Sequence, residues 1–481
     1  MSYTKIARRT TFEGAPMINC AAIFGASPKK PIIFRIPVTG KRPIYYSVEG
    51  LPNTLMLNDN VITGTVESEG EYKITIVCEN ELGKSEKKIT LEIKEGGVLL
   101  TPLLGFTSWN AFSHHIKQED IENVARRFVD LGLCEYGYSY INLDSGWQGE
   151  YGGEYDAIMP NFKFPDMKKM TDFVHSLGLK CGIYSTPMLT AWGCPDELKS
   201  IPGCTIGEPD YRFASTNGGI GIIHKEANNA RQWEAWGFDY LKYDWAPSDP
   251  VNAELMRKEL SKLSRDFGFC VTVNALKEYV EYWSKYCNSY RCNADTLSNY
   301  PNLLAVYDSY APFSKYLNKG HFFDLDMLDF GQCGLWVMHN TLNEDEKIMQ
   351  YSIRAFLSSP IQISSKLERP SDFELDIYSN EEIIAINQDC KFYRPVPILS
   401  VNNEKTRTDV YEKELENGKF AYMLLNLGES KISLSLRSEA DYLRDSWAKE
   451  NIAINGELNL EMMPHTVKIF TVDFKLNIKR Q

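Results

Sequence analysis

Lys242 and Asp244 close an apolar run, Phe238-Asp-Tyr-Leu-Lys-Tyr-Asp-Trp245, in which alternate residues share a face as they do in a strand. At its carboxyl end both side chains are placed to leave the sheet and meet a ligand. Further along, Arg291-Cys-Asn-Ala-Asp295 again joins a cation to a carboxylate. Two acids delivered from the ends of two strands suit hydrolysis of a glycosidic bond, one attacking the sugar and the other handling the proton of the leaving oxygen. Taken singly, either aspartate would pass for a turn residue or a helix cap, and Lys242 or Arg291 for a surface or structural charge. Together they make an enzyme the leading reading.

Such residues need a scaffold that presents several strand ends to one place. Short apolar runs at 140–143, 180–184, 240–243, 270–273 and 361–363 alternate with helical spacings, at Ile121, Val124, Ala125 and Phe128 and at Met170, Phe173, Val174 and Leu177. Strand then helix, repeated, implies an α/β fold with a parallel sheet, and the span 98–389 suits a (β/α)8 TIM barrel. A doubly wound sheet is the alternative, but no Gly-x-Gly-x-x-Gly turn follows a strand. The segment 186–224, rich in Gly, Pro and Thr, follows the third barrel strand and is expected to shape a substrate site. Ahead of the barrel, Tyr72, Ile74, Ile76 and Cys78 alternate against Ile89, Leu91 and Ile93 across a turn at Leu82-Gly83, predicting an N-terminal β-sandwich over 1–97. Runs at 420–425 and 467–472, with no helical period between them, predict a C-terminal antiparallel β-sandwich domain over 390–481.

Composition narrows the partners. The formal net charge is -12, and no Lys/Arg cluster offers a phosphate-binding surface, which argues against nucleic acid. The opening Met1-Ser-Tyr-Thr-Lys-Ile-Ala-Arg-Arg is not followed by an apolar run. Neither a signal peptide nor a membrane partner is therefore expected, and the chain as given reads as cytoplasmic, secreted or periplasmic only if a leader has been removed. Eleven cysteines contain no Cys-x-x-Cys pair and are expected to be reduced core residues. His114 and His115 follow the first strand as solvated loop residues. With no His-Glu-x-x-His or cysteine cluster, no metal and no other cofactor is expected, and glycosyl transfer between two carboxylates needs none.

Several motifs arrive in one order: Leu103-Leu-Gly-Phe-Thr-Ser-Trp-Asn110, Tyr138-Ser-Tyr-Ile-Asn-Leu-Asp-Ser-Gly-Trp147, Leu241-Lys-Tyr-Asp-Trp245, Cys287-Asn-Ser-Tyr-Arg-Cys-Asn-Ala-Asp295, Asp324-Leu-Asp-Met-Leu328 and Ile384-Ala-Ile-Asn-Gln-Asp389. Together they resemble glycoside hydrolase family 27, the α-galactosidase and α-N-acetylgalactosaminidase family of clan D, over 98–389. The resemblance implies a retaining double displacement with Asp244 as nucleophile and Asp295 as acid/base. It implies that Lys242 binds ring hydroxyls, and its charge favours the ionised Asp244. Arg291 would grip the hydroxyl nearest the reacting carbon with its rigid fork. Asp144 would bind near the axial 4-hydroxyl, Trp109 and Tyr184 would wall the pocket, and Asp326 would be a further pocket acid with Met327 packed beside it. Retention calls for carboxyl groups roughly 5 to 5.5 Å apart, inversion for about 6.5 to 9.5 Å. The N-terminal stretch resembles immunoglobulin-like modules found beside carbohydrate-active domains, as in one subgroup of the family.

The chain departs from the family where many relatives read Asp-Asp-Gly-Trp and this one has Asp144-Ser145-Gly146-Trp147. Ser145, the substrate-binding candidate there, is shorter and uncharged, so its grip on a 6-hydroxyl is weaker. That keeps a β-L-arabinopyranosidase open, because the sugar resembles galactose without its sixth carbon. The loop 274–279 stands where relatives choose between a 2-hydroxyl and a 2-acetamido group, and Ala275 hints at room. The expected partner is a carbohydrate with a terminal α-galactoside-like sugar, so an α-galactosidase ranks before an α-N-acetylgalactosaminidase. A catalytically silent carbohydrate-binding protein would have no reason to keep both Asp244 and Asp295, and a phosphate-handling barrel would need a Gly-rich loop late in the barrel.

Overall fold

Eight short parallel strands occupy the centre of the molecule: Leu104–Thr107, Tyr140–Leu143, Lys180–Ser185, Tyr240–Asp244, Gly268–Thr272, Ser289–Tyr290, Phe322–Phe323 and Ile361–Ile363. The first seven pair in parallel in sequence order, and the first pairs with the eighth. The ring closes beyond the seventh strand, where Leu328 bridges to Ile363 in parallel and its amide donates to the Gln362 carbonyl at 2.8 Å. This is a TIM-like barrel, and its strands are buried on both faces. The computed structural model describes residues 3–187, 224–328, 330–334, 340–403 and 405–480. Most of the expected site-shaping segment 186–224 lies outside the described residues.

The helices form where the spacing predicts. Gln118–Asp130 buries Ile121, Val124, Ala125 and Phe128 against the sheet, and Met167–Ser176 begins at Asp166, whose side chain caps the Lys169 amide. Glu344–Phe356 opens with a capping box between Asn343 and Glu346.

In the N-terminal part, a four-stranded and a three-stranded sheet face each other across a core that includes Ile32, Ile62, Ile76 and Leu91. The predicted hairpin pairs Ile74 with Ile89 and Tyr72 with Leu91. This sandwich docks on the amino-terminal end of the barrel through Arg35 to Glu135 at 3.1 Å and Lys319 to Glu92 at 2.6 Å.

In the C-terminal part, Phe420–Asn426 and Thr466–Val472 pair antiparallel as the central strands of a six-stranded sheet. Tyr422, Leu424 and Phe470 face a second sheet through Leu434 and Leu436, while Met423, Leu425 and Ile469 join the barrel core. Burial on both faces is why this run is continuously apolar and does not alternate. Among the described residues, Cys20, Cys78, Cys134, Cys181, Cys270, Cys287 and Cys292 are buried free thiols. Among the described residues no helix is long and apolar enough to cross a membrane.

One cation sits deep in this second junction. Lys413, from the C-terminal sheet, is 1% exposed and donates to Ser358 Oγ and the Ile386 carbonyl, both at 2.8 Å. Burial, opposed only in part by Asp389, lowers its pKa to about 8. A lysine depressed in this way weakens the fold while both states are protonated, below about 8. The penalty lifts as pH rises towards the unfolded value near 10.5, because over that window only the unfolded chain holds the proton. Replacing Lys413 by Met is therefore expected to help most at pH 7 and to lose that advantage by pH 10, a change on the order of 3 kcal/mol. Melting curves of both proteins across that range measure it, and a pH-independent difference would contradict the assignment.

Candidate active site

The carboxyl ends of the second, fourth, sixth and seventh barrel strands converge on one group of charges. Asp244 ends the fourth strand and is half-buried, with its inner oxygen Oδ1 accepting no hydrogen bond among the described residues. Burial raises its pKa to about 6, against the lowering influence of Lys242, Arg291 and a hydrogen bond from Tyr184, while Asp295 pushes it further up. Lys242 thus acts in the expected direction, but desolvation is the larger effect.

Lys242 lies two residues earlier on the same strand and so points the same way. Its ammonium donates to Asp144 Oδ2 at 2.7 Å and sits 5.6 Å above the centre of the Tyr184 ring. Burial alone would lower its pKa, but Asp144 and Asp244 outweigh that and hold it protonated. Asp144, just past the second strand, also accepts from Thr107 Oγ1 at 3.1 Å and, through Oδ1, from the Ser145 amide at 2.8 Å. Ser145 is fully buried, with its hydroxyl 3.5 Å from Gln148 Oε1. The chain turns here at Gly146, whose φ of +109° and close approach to His114 leave no place for a side chain.

Arg291 follows the sixth strand and uses its whole fork. Nε donates to Thr272 Oγ1 at 2.7 Å, Nη1 to Asp326 Oδ2, and Nη2 to Asp295 Oδ1 at 2.7 Å. Although burial would lower its pKa, Asp326, Asp295 and Asp244 raise it, so it stays a cation. Asp326 also accepts from the Thr296 amide at 2.8 Å, and against burial Arg291 and Lys242 lower its pKa. Asp324, beside it, moves the other way under burial and the charge of Asp326. Asp295 differs from the rest in being open, its side chain 65% exposed. Trp109 begins the short helix Trp109–Phe112 after the first strand and is partly buried. Ala275 belongs to the barrel core, 1% exposed, and its amide donates to the Arg291 carbonyl at 3.0 Å.

A site holding two mutually repelling carboxylates between two fixed cations can keep one acid ionised for attack and present the other to a leaving group. The family described as alpha galactosidase A matches residues 101–204 and 208–389. The chain belongs to this family, glycoside hydrolase family 27. It is 28% identical to Alpha-galactosidase A of Cellvibrio japonicus over 371 residues, which cover 73% of this chain and 82% of that one. The fold matches a Bacteroides fragilis protein regarded as a candidate alpha-galactosidase, at a TM-score of 0.83 and 26% identity, over 99% of this chain and 100% of that one. A GH27 β-L-arabinopyranosidase from Geobacillus stearothermophilus shares the barrel at a TM-score of 0.67 and 20% identity, over 77% and 96% of the two chains. This family member is accordingly an α-galactosidase-like glycoside hydrolase.

All the residues expected at the site lie at the same end of the barrel, at or just past the ends of the first, second, third, fourth, sixth and seventh strands. Sequence reasoning missed Thr107, Thr272 and Thr296, which orient Asp144, Arg291 and Asp326. Position at the carboxyl end of a strand is the available signal for the first two, but a hydroxyl there has many other uses. Among the described residues no cluster of three or more His, Cys, Asp or Glu side chains could hold a metal.

Proposed function

We propose that this glycosidase removes terminal α-D-galactosyl residues by a retaining double displacement. The observation that carries this is the Asp244 carboxylate, half-buried at a barrel strand end with the cations Lys242 and Arg291 as its charged neighbours. The Asp244 carboxylate attacks the anomeric carbon, and the bond to the leaving oxygen breaks as Asp295 supplies a proton. Asp295 then takes a proton from water, whose oxygen displaces Asp244 from the sugar. Arg291 occupies only Oδ1 of Asp295, so Oδ2 remains for the leaving oxygen. Lys242, Asp144, Arg291 and Asp326 offer polar atoms for sugar hydroxyls, and Trp109 and Tyr184 an aromatic wall.

Galactose is favoured over N-acetylgalactosamine because Ala275 is packed in the core and leaves no opening at that position. One observation supports a second sugar: Ser145 places a short, buried hydroxyl beside Asp144 where a second carboxylate would grip carbon 6, which suits L-arabinopyranose. The chain is taken as three units, 1–97, 98–389 and 390–481, an arrangement supported by the separate N-terminal core and the inner core of the C-terminal sheets.

Aryl α-galactoside, α-N-acetylgalactosaminide and β-L-arabinopyranoside, assayed side by side, test the sugar. Highest kcat/KM is expected on the α-galactoside. Preference for the arabinoside would move the assignment to the second sugar, and turnover of none with sugar binding retained would remove the hydrolase reading.

A further inference from the structure

Arg354 is a long cation on the helix Glu344–Phe356, 2% exposed, and none of the chemistry above uses it. Its guanidinium donates to two consecutive carbonyls of the loop after the seventh strand, Nη2 to Leu325 at 2.6 Å and Nε to Asp326 at 3.0 Å, and Nη1 reaches back to the Gln350 carbonyl at 3.2 Å. Asp326, thus held, has a φ of +69°, in the left-handed region that a residue with a side chain enters at a cost. From that backbone its carboxylate meets Arg291 Nη1 and the Thr296 amide, and Arg291 Nη2 meets Asp295.

We propose that Arg354 is a positioning residue for the acid/base, acting through Asp326 and Arg291 to set where Asp295 stands. Each link is a rigid fork or a carboxylate held at more than one point, so a displacement at one end is passed to the next. A guanidinium can brace two adjacent carbonyls at once, whereas an ammonium carries no such planar fork. Asp295 needs this help more than Asp244 does. Asp244 sits on a strand within the barrel wall, while Asp295 is exposed on a loop and Arg291 is its one side-chain partner among the described residues. An error on the order of 1 Å in a reacting group costs about 10²-fold.

The inference rests on Asp295 being the acid/base, and leaving-group dependence separates it from a merely structural role. A poor leaving group, such as methyl, needs a proton as the bond breaks, whereas 2,4-dinitrophenolate departs without one. Arg354→Met, measured under kcat/KM conditions, is expected to lose about 30-fold more activity on methyl α-galactoside than on the dinitrophenyl galactoside. Arg354→Lys should show the same tilt to a smaller degree, and it keeps the test open if the Met variant does not fold. Asp295→Asn supplies the reference tilt for full loss of the acid. Equal losses on both substrates in the Arg354 variants, with Asp295→Asn strongly tilted, would overturn the role of Arg354. An untilted Asp295→Asn would instead overturn the assignment of Asp295.

Discussion

Asp244→Asn is expected to abolish turnover, by about 10⁴-fold or more, and at the same time to make the protein more stable at neutral pH. The first effect follows because an amide nitrogen or oxygen cannot form the glycosyl ester through which a retaining displacement passes. A 2-fluoro galactosyl probe with an activated leaving group should label the wild type by one sugar mass and leave the variant unlabelled. Labelling that persisted would place the nucleophile elsewhere. The second effect follows from burial, which raises the Asp244 pKa from 3.8 to about 6. An acid raised in the fold is best tolerated below its unfolded pKa, where both states are protonated, and that stability is lost as pH climbs through the folded value. At pH 7.5 the wild type therefore carries an ionised carboxylate that the fold disfavours by about 3 kcal/mol, an order-of-magnitude figure. Asparagine cannot ionise, so the melting temperature of the variant should exceed that of the wild type at pH 7.5, with the gap narrowing by pH 4. A gap that did not narrow would mean that something other than the carboxylate's charge is being relieved.

The conflict between stability and chemistry at Asp244 was only half legible in the sequence. Lys242, two residues away on one strand, had to share its face with Asp244, so a favourable charge could be read directly from spacing. Desolvation could not, because it depends on Tyr184, Arg291 and the barrel wall, which come from other strands. The same division runs through the fold. Long elements with a clear period, such as Gln118–Asp130 and the hairpin built on Gly70–Asn80, lie where the spacing of their apolar residues indicates. The sixth and seventh barrel strands are two residues each, too short to show any period, and were carried only by the motifs around them. Arg291 illustrates the limit for side chains. Its distance from Asp295 fits an i,i+4 pair, but its hold on Asp326 and Thr272 joins three strand ends whose meeting depends on barrel closure. Arg354 is further removed still, since nothing in a helical run of mixed residues marks one arginine as facing inward onto two carbonyls.

The pH dependence of kcat/KM should fall on its acid side with an apparent pKa near 6, and substitution of Lys242 by Met should move that limb to higher pH. The profile of kcat/KM reports groups in the free enzyme, and Asp244 attacks only when ionised, so activity should drop about tenfold for each pH unit below 6. Lys242 is the foremost influence lowering the Asp244 pKa against burial. Removing it leaves Arg291 as the remaining cation named beside Asp244. It also frees Asp144 from its 2.7 Å ion pair, adding an uncompensated negative charge to the same enclosure. Both changes favour the protonated nucleophile, and the limb should rise by about one unit or more. The position of the limb, not its height, is the informative quantity. A lysine that served the sugar hydroxyls alone would lower activity at every pH and leave the limb in place, and that result would strip Lys242 of its electrostatic role. With the limb displaced, the variant should recover part of its lost activity above pH 8, where Asp244 ionises without help. Only an influence on the charge state of the nucleophile, and not a lost contact to substrate, produces that recovery.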